Sequence, residues 1–401
     1  MSKPKFEVFL GTYNAAPWIT GVIKSLEQQT CDPFTVNIID NGSTDGTIQI
    51  IEELFSKFKM RNDYKLIKNS VNIGPMSTFL DRLDIFDHEW IFMVHQDDFY
   101  HPNHFETLIE GISNASESTS IVFTAMKRID ENNKEIFSTP TLSSQISDFD
   151  RLKNVLLTLQ INPINYPACA LRKSALSSTQ TTRHTTAFND TEMLLRLMCV
   201  SDVKYIPQET MHYRIHTGNA SVVTKTFANS YAVFVGLIEF FHSNEFEKLV
   251  LSELTETKSS QFFQALNTAL EIRIVEVELR NLARGILAER MIRILGYEHK
   301  GASDFLLEAQ NLLGLINEAK VVKNLASSRS YQIEKLENSG KSSDELSAHP
   351  SPILFPAETH LVSSINKLSL GTRELIYNGI LRSPFSYFTK RPFAKVWRKT
   401  K

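Results

Sequence analysis

The stretch Thr35-Val36-Asn37-Ile38-Ile39-Asp40-Asn41-Gly42-Ser43-Thr44-Asp45-Gly46-Thr47 decides how this chain folds. An apolar run ends on an acid, a polar turn with two glycines follows, and Thr47–Lys59 then carries helical periodicity. A buried strand that feeds a helix through such a turn is one half of a parallel-sheet crossover. Open sheets of this kind bind ligands outside the carboxyl ends of their strands, and the turn places Asp40 there. Its carboxylate can accept a hydrogen bond from a base imide or a ribose hydroxyl. Gly42 and Gly46 relieve the turn of Cβ clashes, and Asp45 reads as the cap of the next helix.

The same rhythm extends to both sides. Phe6–Leu10 reads as a strand, Trp18–Gln28 as a helix, Tyr64–Lys68 as a strand and Met76–Phe86 as a helix. Trp90–Val94 reads as an apolar strand, and Asn103–Ser113 as a helix opened by Pro102. After Ile121–Ala125 the pattern changes. Arg128–Phe137 suggests a hairpin, Phe149–Leu159 a helix, Ala168–Leu171 an extended piece, Asp190–Val200 a helix, and Val203–Ile206 and Met211–His216 two more extended pieces. The expected architecture is α/β, a mixed sheet flanked by helices over residues 1–222, followed by a mainly helical region over 223–337.

In that second region Phe262, Leu266, Leu270, Ile274 and Val277 recur as one apolar stripe, which packing explains and which could also mediate self-association. Residues 338–356, rich in Ser, Gly and Pro, read as a linker or loop. Residues 357–401 read as a helix and a basic tail. From 382 to 401 the tail carries Arg382, Lys390, Arg391, Lys395, Arg398, Lys399 and Lys401, no acid, and the rings of Phe385, Tyr387, Phe388, Phe393 and Trp397. That mixture suits peripheral contact with an anionic membrane surface.

Bulk composition narrows the classes. At 401 residues the chain exceeds a single core, and a net charge of −2 argues against a nucleic-acid partner. Cys31, Cys169 and Cys199 are odd in number and widely spaced, which fits a reducing cytoplasm and suggests neither a disulfide framework nor a cysteine zinc site. The N-terminus lacks the pattern of a signal peptide, and the longest apolar run, Tyr231–Phe241, is short and contains Glu239.

Several further strand ends carry polar groups. Gly11-Thr12-Tyr13-Asn14 closes the first strand, and Asn72-Ile73-Gly74 follows the third. His95-Gln96-Asp97-Asp98 closes the strand Trp90–Val94. Adjacent carboxylates outside a buried strand repel one another, so a cation or a strong hydrogen-bond network is expected beside them. Mg²⁺ or Mn²⁺, held by one or two carboxylates and by phosphate oxygens, meets that demand. Asn189-Asp190 opens an apolar helix, where Asp190 reads either as an N-cap or as a general base. In Tyr213-Arg214-Ile215-His216, Arg214 and His216 share a face and could meet a pyrophosphate or a metal.

Taken in order, Gly11–Asn14, Asp40–Thr47, Asn72–Gly74, Gln96–Asp98 with Pro102, Asn189–Asp190 and Tyr213–His216 resemble the family 2 glycosyltransferases of the GT-A fold, over about residues 5 to 222. The resemblance implies a GT-A-type, Rossmann-like sheet and an inverting transfer from a nucleotide-diphospho-sugar, UDP- or dTDP-linked, to a hydroxyl of a glycan or lipid-linked acceptor. It implies donor contacts from Thr12, Tyr13, Asn14, Asp40, Asn41, Ser43, Asn72, Gly74, Gln96, Asp97 and Arg214. Asp97 and His216 would ligate the metal, with His95 and Asp98 as further candidates, and Asp190 would be the base. Two positions depart from the family pattern, since His95 and Asn189 stand where acids are usual. Those departures motivate two rivals: a catalytically inactive nucleotide-sugar or glycan binding module, and a nucleotidyltransferase. Against the latter, Gly11–Asn14 lacks a basic residue. The implied setting is bacterial surface-polysaccharide synthesis at the inner face of the membrane.

Overall fold

The computed structural model describes residues 3–136, 142–179, 181, 188–216 and 227–313. The first region alternates β1 (Phe6–Thr12), α1 (Ile19–Glu27), β2 (Thr35–Asp40), α2 (Thr47–Lys57), β3 (Asp63–Lys68), α3 (Pro75–Leu80), β4 (Trp90–His95), β5 (Phe99–Tyr100) and α4 (His104–Ser113). It continues through β6 (Thr119–Ile129), β7 (Glu135–Ile136), α5 (Arg151–Gln160), β8 (Cys169–Arg172), α6 (Lys173–Ser178), α7 (Asn189–Val200) and β9 (Asp202–Arg214). The sheet runs in the order β3-β2-β1-β4-β8-β6-β9-β5, with β7 hanging from β6.

The chain builds outward from β1 to β3, then crosses back to lay β4 on the other side of β1, both neighbours parallel to it. The crevice of an open sheet opens at such a reversal. Register aligns its walls: Thr12 pairs with Asp40, and Gly11 with His95, so the carboxyl ends of β2, β1 and β4 finish at one level. Beneath this rim the core is apolar. Phe6 stacks on Phe92 at 4.0 Å, and Phe34 and Phe105 close on them edge-on or tilted. Burying such a ring contributes roughly 1.5–3 kcal/mol.

Several elements differ from the sequence reading. The helix expected over Met76–Phe86 stops at Leu80, and a 3₁₀ turn, Leu83–Ile85, replaces its second half. Met76, Phe79, Leu80, Leu83 and Phe86 keep helical spacing through that segment, so the sequence pattern carries no sign of the break after Leu80. The expected pieces Val203–Ile206 and Met211–His216 are one strand, β9, that pairs in parallel with β6 and absorbs register shifts near Thr124–Met126. Pro207 and the exposed Gln208 interrupt the apolar pattern there, which is why the sequence reads as two pieces. β8 runs antiparallel to both β4 and β6, which makes the sheet mixed.

The chain divides into two compact units, residues 1–185 with 189–222, and residues 186–188 with 223–401. In the second lie α8 (Phe227–Phe241), α9 (Asn244–Glu253), α10 (Glu256–Arg273), α11 (Val277–Leu295) and α12 (Lys300–Leu313). Phe240, Phe241 and Phe246 form one aromatic cluster, and Phe262, Phe263 and Phe305 form another. The stripe Phe262, Leu266, Leu270 and Ile274 is buried, but Val277 begins the next helix and is exposed, so the stripe ends one turn early. No helix among the described residues is long and apolar enough to cross a membrane. The linker 338–356 and the segment 357–401 lie outside the described residues.

Candidate active site

Asp40, the last residue of β2, is fully buried, and both its oxygens hold the loop that follows. Oδ1 accepts from the hydroxyls of Thr12, at 2.9 Å, and Ser43, at 2.5 Å, while Oδ2 accepts from the amides of Gly42, at 3.1 Å, and Ser43, at 2.9 Å. Asn14 accepts from the Thr44 amide and its own amide donates to the Ser43 hydroxyl, which ties the β1 and β2 loops together. Asp45 takes the Thr47 amide and the Ala16 amide, so it caps α2 and braces β1's loop at once. These bonds hold its carboxyl below the usual range against a burial that pushes it up.

The third loop joins through Asn41. Its amide donates to Asn72 at 2.7 Å and its oxygen accepts from the Ile73 amide, and Asn72 in turn accepts from the Gly74 amide. Gly42 has φ +79°, and a Cβ there would stand 2.9 Å from the Val71 carbonyl carbon, so only glycine lets the two loops meet. Gln96 closes the rim on the β4 side by a reciprocal pair with the Tyr13 backbone, 2.6 Å and 3.2 Å. Tyr13's own ring is 43% exposed, facing outward as a free surface.

At the end of β4, His95, Asp97 and Asp98 offer ligand atoms that all lie within 4.8 Å of one another. Asp98 is buried. Its Oδ1 accepts from the Arg214 amide at 2.9 Å, while Oδ2 is buried with no hydrogen-bond partner, 3.8 Å from His95 Nδ1. Burial and the neighbouring Asp97 charge push the Asp98 carboxyl well above its ordinary value, with Arg214 opposing. A buried carboxylate oxygen without a donor, set among two further ligand atoms, fits a hard divalent cation. His216 Nε2 lies 2.9 Å from Asp97 Oδ2, which puts it at the edge of the same cluster.

Arg214 faces inward. Its Nε donates to the Asp97 carbonyl at 2.9 Å, Nη1 to the Asp130 carbonyl at 3.2 Å, and its guanidinium lies 4.8 Å from the Trp18 ring centre. Trp18 also lies 5.3 Å from the His216 ring. The indole therefore backs both basic residues. In the sequence Trp18 stands only as the first residue of an expected helix, since nothing local marks its distant partners. Tyr100 and Tyr166 were missed for the same reason: the Tyr100 hydroxyl accepts from the His95 amide at 2.9 Å, and the Tyr166 ring sits 5.6 Å from the His95 ring.

Asp190 is the second residue of α7, half-buried, with Oδ1 accepting from the Thr191 amide at 2.6 Å. Its charge acts on His95, Tyr166 and Cys169. The His95 imidazole is pushed below its ordinary pKa by burial, and Asp97 and Asp190 both oppose that shift. The two carboxylates thus address one imidazole. Behind Asp190, the buried pair Glu192–Arg196, 2.7 Å apart, anchors the helix.

Residues 7–179 match the family model for glycosyl transferase family 2. This part of the chain is similar to the family 2 glycosyltransferases. An uncharacterized glycosyltransferase of Haemophilus influenzae is 23% identical over 330 residues, spanning 72% of this chain and 97% of that one. Among solved structures, S. aureus TarS 1–349 in complex with UDP-GlcNAc is similar at TM-score 0.49 and 15% identity, covering 77% of this chain and 90% of that one. The mannosyltransferase PcManGT from Pyrobaculum calidifontis, in complex with GDP-Man and Mn²⁺, is similar at TM-score 0.46 and 14% identity, covering 81% and 88%. The mixed sheet with flanking helices and the following helical region agree with the architecture expected from the sequence.

Proposed function

We propose that this glycosyltransferase moves a sugar, with inversion, from a UDP- or dTDP-linked donor to a hydroxyl of a glycan or lipid-linked acceptor in surface-polysaccharide synthesis. The observation that supports the reading is the cluster at the end of β4, where ligand atoms of His95, Asp97 and Asp98 lie within 4.8 Å of one another and His216 stands 2.9 Å from Asp97, with the Asp190 charge near enough to act on His95.

Asp97, Asp98 and His95, with His216 beside them, would hold a Mn²⁺ or Mg²⁺ ion, which supplies positive charge for the donor's two phosphates. Thr12, Asn14, Ser43, Asn41, Asn72 and Gly74 form the loop floor under the nucleoside, and the exposed Tyr13 ring offers it a face. Asp40 acts by shaping that floor, because both its oxygens are engaged within the loop. Arg214 likewise positions the Asp97–Asp98 turn from behind through its backbone and side-chain donors. Asp190 takes the proton from the acceptor hydroxyl. The acceptor oxygen bonds to the anomeric carbon from the face opposite the donor phosphate, and the bond to that phosphate oxygen breaks with its electron pair.

A panel of nucleotide sugars, scored by thermal shift with and without Mn²⁺ and then by release of free nucleoside diphosphate on adding acceptors, tests the reading. The expected result is stabilisation by one donor class, followed by release that chelator suppresses. Stabilisation with no release for any acceptor would instead support a binding module, and no stabilisation by any nucleotide sugar would overturn the proposal.

A further inference from the structure

A second set of nitrogen donors lies on the strands that support the carboxylates. His101 directly follows β5, and His212 sits on β9 opposite Phe99, with the Phe99 ring against both. The His101 amide donates to the Thr210 carbonyl at 2.9 Å, so the backbone holds the two side chains together before any ligand arrives. Their Nε2 atoms are 3.1 Å apart, their ring centres 4.6 Å apart, and their planes cross at 86°.

Those distances are informative together. Two imidazoles joined head-on by an N–H···N bond of that length would have centres about 5.4 Å apart, from ring dimensions alone. The closer approach means that at least one of the two nitrogens points off the line joining them. It suits two ligands of one ion: with metal–nitrogen bonds of about 2.0–2.1 Å and an angle between octahedral and tetrahedral, ligand nitrogens stand roughly 2.9–3.3 Å apart.

Protonation favours the same role. Burial lowers the His101 pKa, with the Lys127 charge adding to it and Glu209 opposing. Burial, then His101, lowers that of His212, where Lys127 acts in the same sense and Glu135 and Glu209 oppose. Both rings are therefore neutral at pH 7 and need lose no proton to bind a metal. Lys127 is itself drawn towards Glu135, 3.0 Å away, and Glu209, 3.6 Å away, so its charge is offset locally.

We propose that His101 and His212 form a two-imidazole site for a borderline transition-metal ion of the Zn²⁺, Co²⁺, Ni²⁺ and Cu²⁺ class, separate from the oxygen-rich centre at Asp97 and Asp98. Water completes the coordination. An ion there clips β5 to β9, the two strands that carry Asp98 and Arg214 at their ends, and so stiffens the support of the carboxylate cluster without touching donor or acceptor. The site stands independently of the reaction proposed above.

The test uses full-length, tag-free protein stripped with chelator and titrated with Zn²⁺ against a chromophoric competitor. Wild type is expected to bind an ion that Asp97→Asn retains, and His101→Gln and His212→Gln each to weaken that binding at least about tenfold. Circular dichroism and melting temperature check that the variants fold. Crystals soaked in Zn²⁺ give a readout that needs no variant, an anomalous peak between the two Nε2 atoms. Wild-type Zn²⁺ affinity in the double variant, or Zn²⁺-soaked crystals with no peak at the pair, would overturn the assignment and leave a bent imidazole contact only.

Discussion

At the residue scale, the division of labour among the acids follows from what each oxygen already touches. Asp40 and Asp45 are occupied by loop amides and hydroxyls, Asp98 keeps one oxygen buried and unpartnered, and Asp190 sits half-buried at a helix start, where the helix dipole favours its charge. If Asp190 is the base, Asp190→Asn should retain donor affinity and lower turnover by about 10²–10⁴-fold, read as nucleoside-diphosphate release under saturating donor. Full turnover in that variant would remove it from the mechanism. Trp18 should matter without touching substrate. Trp18→Ala removes the platform under Arg214 and His216 and is expected to lower kcat/KM about three- to thirty-fold, while Trp18→Phe keeps most of it. Equal losses in the two variants would show that the aromatic face plays no part.

At the element scale, the rim depends on loops from parallel strands locking into one another. Gly42 is the tightest point: Ala at that position combines a left-handed backbone with a contact on the Val71 carbonyl carbon. Gly42→Ala should lose at least about 1–2 kcal/mol in urea denaturation, and thermal shift by the donor should disappear with it. A second junction lies at the opposite end of the sheet. Asp202, at the start of β9, accepts from Arg151 of α5 at 2.8 Å and from the Ser118 hydroxyl before β6. Burial alone would raise its carboxyl, but these donors outweigh it and hold it below the usual aspartate range. A folded value below the unfolded one adds stability that is present above the unfolded pKa and lost as pH falls through the folded one. Asp202→Asn should accordingly be less stable than wild type at pH 7, with the gap closing below about pH 4 in acid-denaturation curves.

At the scale of the whole molecule, the first unit holds every residue of the candidate site, and the helices of the second bury their own aromatic clusters. The basic aromatic end, residues 382–401, gives the chain a proposed route to a lipid-linked acceptor. Full-length protein should co-sediment with anionic liposomes in a salt-sensitive way, and a chain ending at Leu381 should stay in solution; equal behaviour of the two would count against a membrane role.

What could be read from the sequence alone was local: the strand-turn-helix rhythm from Phe6 to Ser113, the glycine turn after Asp40, and the polar groups waiting at the ends of β1, β2 and β4. Periodicity and turn chemistry act over a few residues, so these features are written next to one another in the chain. Contacts between distant segments are written nowhere locally. That Arg214 turns inward to grip the Asp97–Asp98 turn, that Trp18 backs it, that Asp40 braces its own loop, and that His101 meets His212 across β5 and β9 was decided only when the sheet assembled. β9 shows the limit most clearly: Pro207 breaks its pattern into two pieces, and only pairing along β6 makes it one strand that carries Arg214 to the Asp97–Asp98 turn.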